Sequence, residues 1–444
     1  MNPYIQYMYS YPHKTAYGPL SGISLEDYTP FLAGEGHGLY LHIPFCQSKC
    51  GYCNLFSVTG QDTGRMDRYL HAVERQCRQY KELLEVHKTV FSELVIGGGT
   101  PLLLTESQLS GIFEILETYF VFREDREAVI ETAPNQTSRE KLEILRQAHI
   151  TRISMGVQSF SDQELKILRR QHSAKSAREA MSLLKEYHFP CINMDFIYGI
   201  PGQTVETLLA SLREALTFEP DEIFLYPLYI KHGASLQGIS KEGFGPCTED
   251  AGFQYREACG YLRAEGYRQD SMRRFVKSRK ARGYSECGLG TSLALGCGGR
   301  SYLGNLHFCS PYAITRTDCL TQLDTFEHTE DYRIVTHGIL LTEEEMRRRY
   351  VIRHLLIRPG LLCRQYQKHF GSCAEEDYPI LEKWKTMGYL CQKGDFLTLT
   401  ERGMELSDYL GPQLISEEIR EKMREWDRSH GETGTFISGQ PKEL

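Results

Sequence analysis

The sequence predicts an α/β protein: a parallel, barrel-like sheet of six strand–helix units, followed by a smaller module of helices and a hairpin. Three observations predict it. Between residue 38 and about residue 230, short apolar strand patterns alternate with segments of helical period. Three of those strands end in a polar side chain amid apolar neighbours: Glu131, Gln158 and Asp195. From 342 to 410 the order changes to helices first and a hairpin after them.

Taken in order, residues 1–37 contain Gly, Pro and Tyr without a sustained period, and read as an arm packed on the main domain. Tyr11-Pro-His-Lys-Thr-Ala-Tyr17 stands out there, as an ordered arm with exposed polar groups or as a segment that closes over substrate. The strand candidates are 38–44, 93–96, 128–132, 152–157, 191–197 and 222–228. The helices between them span about 65–86, 105–118, 138–148, 161–170, 173–187 and 204–217, with Thr105 and Ser138 as helix starts. A full eight-unit barrel would need more repeats than the chain offers. Residues 231–341 read as a barrel-closing or linker region: a helix over 250–265, a return strand over 267–275 with Tyr284, and a Gly-rich stretch over 289–304. The module 342–410 holds helices over 343–356, 361–369 and 376–387, a hairpin over 388–399 and a last helix over 400–410. It is winged-helix-like but shows no dense basic recognition helix. Residues 411–444 read as a polar, loosely ordered tail.

Bulk properties narrow the function. A chain of 444 residues supports two or three domains. Its formal net charge of -7 leaves no global basic footprint for nucleic acid. No stretch approaches the ~20 apolar residues of a membrane span. Met1 to Leu20 lacks the apolar core of a secretory signal, so the fourteen cysteines read as reduced thiols of a cytoplasmic protein.

Cys46, Cys50 and Cys53 form a C-x3-C-x2-C run directly after an apolar strand. Three thiolates on one loop can hold one soft metal centre; the plainer alternative is a set of buried thiols. A structural zinc would want a fourth Cys or His nearby, and the next residues are Asn54, Leu55 and Phe56. On a four-iron cluster, three cysteines leave one iron open to a small molecule. Gly97-Gly-Gly-Thr100-Pro101 follows the second strand; it is a tight turn or a place where backbone meets ligand, and it lacks the Lys of a phosphate loop. One polar residue at a strand end is usually a cap, whereas several on successive strands more often line a site. Cys287, Cys297 and Cys309 are spaced by ten and twelve residues; they read as buried or loop thiols, a second metal site being the alternative.

The run Tyr40-Leu-His-Ile-Pro-Phe-Cys46-Gln-Ser-Lys-Cys50-Gly-Tyr-Cys53 resembles the cluster loop of the radical S-adenosylmethionine enzymes, and its lead-in resembles the oxygen-independent coproporphyrinogen III oxidase subgroup. The resemblance implies a partial (β/α)6 radical-SAM barrel with a C-terminal winged-helix-like α+β domain that acts as a lid or substrate cap. It implies a [4Fe-4S] cluster on Cys46, Cys50 and Cys53, and one or two S-adenosylmethionines. Tyr40, Tyr52, Gly98, Gly99, Thr100, Glu131, Gln158, Arg170 and Asp195 match family positions that contact this cofactor; no catalytic residue is assigned. A sulfonium, an ammonium, a carboxylate and ribose hydroxyls call for such a mixed set of donors and acceptors. Arg169-Arg170 is, by itself, equally a solvated helix end. The implied chemistry is cleavage of S-adenosylmethionine to a 5′-deoxyadenosyl radical that attacks a small organic substrate, a tetrapyrrole among the candidates. Reduced flavodoxin or ferredoxin is the implied electron donor. The sequence departs from two subgroup patterns. Asn54-Leu55 follows Cys53 where the porphyrinogen enzymes have Cys-x-Cys, and the haem-chaperone His-Asn-x-x-Tyr-Trp element has its nearest match at His307-Phe-Cys-Ser-Pro-Tyr312. Radical methyl transfer with two S-adenosylmethionines and non-catalytic haem carriage are the alternatives.

Overall fold

Glu35–Ile43 (β1), Val90–Gly98 (β2), Phe122–Thr132 (β3), Arg152–Gln158 (β4), Cys191–Tyr198 (β5) and Glu222–Pro227 (β6) lie side by side in chain order, each parallel to the next. The computed structural model describes residues 4–8, 10–230, 234, 236, 248–277 and 289–430. The helices that return the chain are Thr63–Glu85 (α1), Glu106–Tyr119 (α2), Arg139–Gln147 (α3), Asp162–Ile167 (α4), Ala174–Glu186 (α5) and Val205–Thr217 (α6). Their starts are fixed locally. Thr105 closes a capping box with Gln108, and Ser138 accepts from the Lys141 amide.

Alternation along the strands explains the barrel. Leu39, Leu41, Ile43, Leu94, Ile96, Ile130, Ile153, Met155, Met194 and Phe196 are buried in the core. The residues between them, among them Tyr40, Glu131, Ser154, Asn193, Asp195 and Phe224, share the opposite face of the sheet. Register aligns them into rows, Glu131 beside Ser154 and Asn193 beside Glu222. A parallel sheet covered by helices on both faces would read as unbroken apolar runs; here one face lines a polar lumen.

The region read as a linker contributes strands to both edges of this sheet. Arg274–Lys277 (β7) pairs antiparallel with β6, and Tyr267–Gln269 pairs with β7. The single return strand expected over 267–275 is thus a hairpin. It turns where the Ser271 hydroxyl accepts from the Arg273 and Arg274 amides. Tyr284 and Cys287 lie outside the described residues. On the far edge, Ser292–Leu295 (β8) runs parallel to β1, followed by antiparallel Arg300–Leu303, Leu306–Cys309, Ile334–Leu340 and Gly18–Ser24, for thirteen strands among the described residues. Gly296, just past β8, has φ +81°, and a Cβ there would come 2.2 Å from the Tyr69 hydroxyl oxygen.

In the C-terminal α+β domain, Glu343–Leu355 precedes a three-stranded sheet of Leu361–Leu362, Phe396–Leu399 and Leu390–Lys393. The helix expected over 376–387 is broken at Pro379 into Ala374–Asp377 and Ile380–Thr386, because proline cannot donate inside a helix. The last helix expected over 400–410 is likewise two, Glu401–Glu405 and Ser407–Gln413. The stretch read as a loose tail contains the helix Glu417–Ser429, capped by Ser416. Ile419, Met423 and Trp426 share one face at helical spacing; the first two are buried, and Trp426 lies 5.1 Å from the Tyr312 ring.

The N-terminal arm is buried rather than draped. Tyr4 packs edge-on to Tyr198, and Tyr7 packs edge-on to Tyr226 on β6. Arg273, 3.7 Å above the Tyr7 ring, pairs with buried Asp408, which also accepts from the Tyr229 hydroxyl. Tyr11 donates to Glu345. The exposed polar groups expected over 11–17 are therefore not found: Tyr11, His13, Thr15 and Tyr17 are all buried.

Candidate functional site

The loop carrying Cys46, Cys50 and Cys53 leaves β1 at the C-terminal end of the parallel strands, where such sheets place chemistry. All three cysteines are free thiols, partly exposed. The loop is pinned along its length. The Gly51 amide donates to Leu168 O (2.9 Å), and Leu236 N donates to Gly51 O (2.9 Å). Gln47 Oε1 accepts from Asn135 (2.6 Å) and Gln136 (2.9 Å) past the end of β3. Lys49 Nζ donates to Ile314 O (3.0 Å), and Asn54 donates to the Tyr312 hydroxyl (3.3 Å). Beside Cys50 lies a small cleft lined by Gln47, Ser48, Thr100, Ala133 and Arg170.

Each glycine of the 97–99 run has its own steric reason. A Cβ on Gly97 would sit 2.9 Å from the Glu131 carboxylate. Gly98, at φ +114°, would meet the His42 ring at 2.6 Å. On Gly99 it would meet Phe45 O at 2.5 Å and Cys46 Sγ at 3.0 Å. The run thus packs the cysteine loop against the strand ends. Gly98 N–H donates to Glu131 Oε2 (3.0 Å), and Thr100 Oγ1 lies 3.8 Å from Cys46 Sγ.

Arg170 is no solvated helix end. Its Nη1 donates to Cys50 Sγ at 3.1 Å and its Nη2 to Gly156 O at 2.6 Å. Gln158, at φ +70°, is buried, and a Cβ on Gly156 would press on its Nε2 at 2.9 Å. Tyr52 rests on the second apolar cluster of Leu168, Ile197, Leu228 and Leu236. Tyr40 stands deeper in the lumen, its hydroxyl 3.1 Å from His42 Nδ1. Asp195 Oδ1 accepts from Asn193 Nδ2 (2.8 Å), which also donates to Ser154 Oγ (2.7 Å).

The electrostatics follow from the lumen. Glu131 is open to water in the lumen but ringed by protein. Burial pushes its carboxyl up to about 7, against the lowering effect of the Gly98 N–H, with a further push from Asp195. Asp195 is raised to about 6 by burial, opposed by Asn193 and Arg152. Burial holds His42 down near 4, so it is neutral, its Nε2 3.0 Å from Phe56 O.

Sequence reasoning missed Asn193, Tyr226 and Gln47. Asn193 carries a readable signal, since it lies two residues before Asp195 on the same strand face. Tyr226 gains its meaning only from Tyr7, more than 200 residues earlier. Cys297 and Cys309 are buried free thiols. Among the described residues, no three His, Cys, Asp or Glu side chains converge as for a single metal ion, and no helix is long and apolar enough to cross a membrane.

Residues 40–215 match the family model of the Radical SAM superfamily. With the cysteine loop at the mouth of six parallel strands, the chain has a radical SAM fold. Its relatives include coproporphyrinogen III oxidases and heme chaperones. The oxygen-independent coproporphyrinogen III oxidase of Escherichia coli (strain K12) is 26% identical over 403 residues, covering 85% of this chain and 86% of that protein. The heme chaperone HemW of Bacillus subtilis (strain 168) is 25% identical over 386 residues, covering 85% of this chain and 99% of the relative. The solved structure titled "Coproporphyrinogen III oxidase (HemN) from Escherichia coli is a Radical SAM enzyme" superposes with TM-score 0.78 at 22% identity, covering 96% of this chain and 100% of that one, which shows a shared fold.

The family match and the shared fold imply a [4Fe-4S] cluster and S-adenosylmethionine. The donor set fits: three unpaired thiols on one pinned loop, donors from Arg170 and Thr100 at two of the sulfurs, and a glycine where a Cβ would press on Cys46.

Proposed function

We propose that the protein is a radical S-adenosylmethionine enzyme acting on a porphyrinogen-like or other small organic substrate, with Cys46, Cys50 and Cys53 as cluster ligands. One observation carries the reading. The cysteine loop stands beside Gly98, Gly99 and Thr100 at the end of β2 and is bonded through Cys50 to Arg170 on the loop after α4, with Gln158 at the end of β4 and Asp195 inside β5. A [4Fe-4S] cluster held by Cys46, Cys50 and Cys53 would supply the reductive cleavage of S-adenosylmethionine that yields a 5′-deoxyadenosyl radical.

The chain's own residues bind and orient. Glu131, held by the Gly98 amide, offers a carboxylate to an ammonium group. Asp195, held by Asn193, offers acceptors to ribose hydroxyls. Tyr40 and Tyr52 complete the set of side chains around the cofactor. The arm and the C-terminal domain are joined beside the barrel through Arg273, Asp408 and Tyr7. A low-potential one-electron donor, flavodoxin or ferredoxin in kind, would supply the electron. In domain terms we divide the chain into an arm (1–37), the barrel (38–230), an edge region (231–341), a winged-helix-like cap (342–410) and a C-terminal extension.

A second reading, haem carriage without cleavage, is supported by the HemW relative, which this chain covers almost end to end. Anaerobic reconstitution followed by iron and sulfide counting separates the two. Release of 5′-deoxyadenosine that rises with added coproporphyrinogen III supports the enzyme. Stoichiometric haem binding with no cleavage supports the carrier.

A further inference from the structure

We propose that Arg170 is a positioning residue for the cluster itself: its hydrogen bond to the Cys50 sulfur makes the cluster easier to reduce. The inference rests on the reading of Cys46, Cys50 and Cys53 as cluster ligands, and adds a control on their electron uptake.

The contact is built. Arg169, at φ +55°, turns the chain out of α4, and the Arg170 amide donates back to Leu165 O (2.9 Å), fixing where the side chain starts. The guanidinium then spans two groups, Gly156 O at 2.6 Å through Nη2 and Cys50 Sγ at 3.1 Å through Nη1. Gly156 leaves room for it, since a Cβ there would lie 3.3 Å from Nη2. The charged and titratable groups around it are Cys46, Cys50, Cys53, Tyr52, Asp195 and His172. Of the other two thiols, Cys46 has the neutral Thr100 hydroxyl at 3.8 Å and Cys53 accepts from the neutral Leu55 amide. Cys50 is therefore the ligand that receives a full positive charge.

The electrostatic consequence follows directly. Reduction adds one electron, from an external one-electron donor, to a cluster in its 2+ state and gives the 1+ state; no bond breaks. A guanidinium stays protonated throughout, so no proton moves. The added charge spreads onto the sulfurs, and a charge-assisted N–H···S bond strengthens as its acceptor becomes more negative. Hydrogen bonds to cluster sulfurs are among the known determinants of potential. Arginine's planar fork can hold Gly156 O and Cys50 Sγ at once, whereas a lysine ammonium is a point charge on a flexible stem.

The test is an EPR-monitored redox titration of the anaerobically reconstituted full chain, without S-adenosylmethionine, for wild type, Arg170→Lys and Arg170→Gln, each normalised to iron and sulfide per chain. At the wild-type midpoint, the reduced-to-oxidised ratio of Arg170→Gln should fall about tenfold, which is about 59 mV for one electron, with Arg170→Lys between. A role limited to folding would change iron content but leave the midpoint of the loaded fraction where it was. Coincident midpoints overturn the inference. So does a difference that emerges only when S-adenosylmethionine is added, since Arg170 would then act on that cofactor rather than on sulfur. If Arg170→Gln loads no iron, Arg170→Lys decides by the same criterion. If wild type itself loads none, the functional reading fails as well, and the two failures are told apart by the iron count.

Discussion

The two ends of the barrel lumen use the same strands and treat charge in opposite ways. At the lower end, Glu222 on β6 is shared between Arg152 on β4 (2.6 Å) and Arg274 on β7, and Arg274 also reaches Asp270 (3.2 Å). Carboxylate answers guanidinium, and the group is structural. At the upper end, the carboxyls of Glu131 and Asp195 are held by neutral donors, the Gly98 amide and the Asn193 amide group. Both carboxyls are raised by burial; Asp195 raises Glu131 further, Arg152 eases both, and Arg170 also eases Asp195. The difference teaches where the molecule stores stability and where it keeps capacity for a cation. Charge matched inside the fold contributes to folding; charge left to neutral partners is poised for a ligand.

The largest expected effect lies at the matched end. Glu222→Gln leaves two guanidiniums, both mostly buried, without their shared anion. A stability loss of about 3–5 kcal/mol is expected from breaking such a pair, read by denaturant unfolding. A loss below about 1 kcal/mol would erase the contrast between the two ends, since exposed pairs are worth that little.

Next comes the wall of the mouth. Gly99→Ala places a Cβ against Phe45 O and Cys46 Sγ. Overpacking of this kind costs about 1–3 kcal/mol. Because the strain falls on the cysteine loop, iron bound per chain after reconstitution should drop further than the unfolding midpoint does. Full iron content in this variant would mean that the loop does not depend on the glycine run.

Glu131→Gln sharpens the comparison through pH. The carboxyl is raised from its usual range to about 7, so the folded protein holds a proton there that the unfolded chain releases. That contribution to stability is complete below about pH 4.5 and is lost as pH rises through about 7. The apo variant should therefore gain on wild type between pH 5 and pH 8. A cation brought to Glu131 reverses the preference. S-adenosylmethionine affinity, measured calorimetrically on the loaded protein, should weaken by up to about tenfold for each pH unit below 7, and the variant should show no such slope. Equal slopes would remove Glu131 from the cation site.

The smallest effect concerns the rim. Ser416→Ala removes the cap of the helix Glu417–Ser429, which reaches the cysteine loop through Trp426, Tyr312 and Asn54. A loss of about 1 kcal/mol is expected, seen as faster proteolysis near the C-terminus with the barrel intact.

Much of the upper end was readable from residues alone. The three cysteines, the glycine run, Glu131 and Gln158 fall at or just past strand ends, whereas Asp195, read as a strand end, lies inside Cys191–Tyr198. The lower end was not. Arg152 and Glu222 lie at strand starts, and nothing near either one in sequence announces the other. The arm and the C-terminal helix were misjudged for a related reason. Tyr4, Tyr7 and Tyr11 have no local period, and the apolar face of Glu417–Ser429 is three residues in a highly charged segment.

The sequence by itself determined the six βα units, their capped helices and the spacing of three thiols, because period and capping report burial and backbone satisfaction within a few residues. Only the tertiary structure decided that Arg170 reaches Cys50 across 120 residues, that β8 runs parallel beside β1, and that Tyr7 meets Tyr226. Those contacts depend on how the strands close in space, and a pattern confined to neighbouring residues carries no record of that closure.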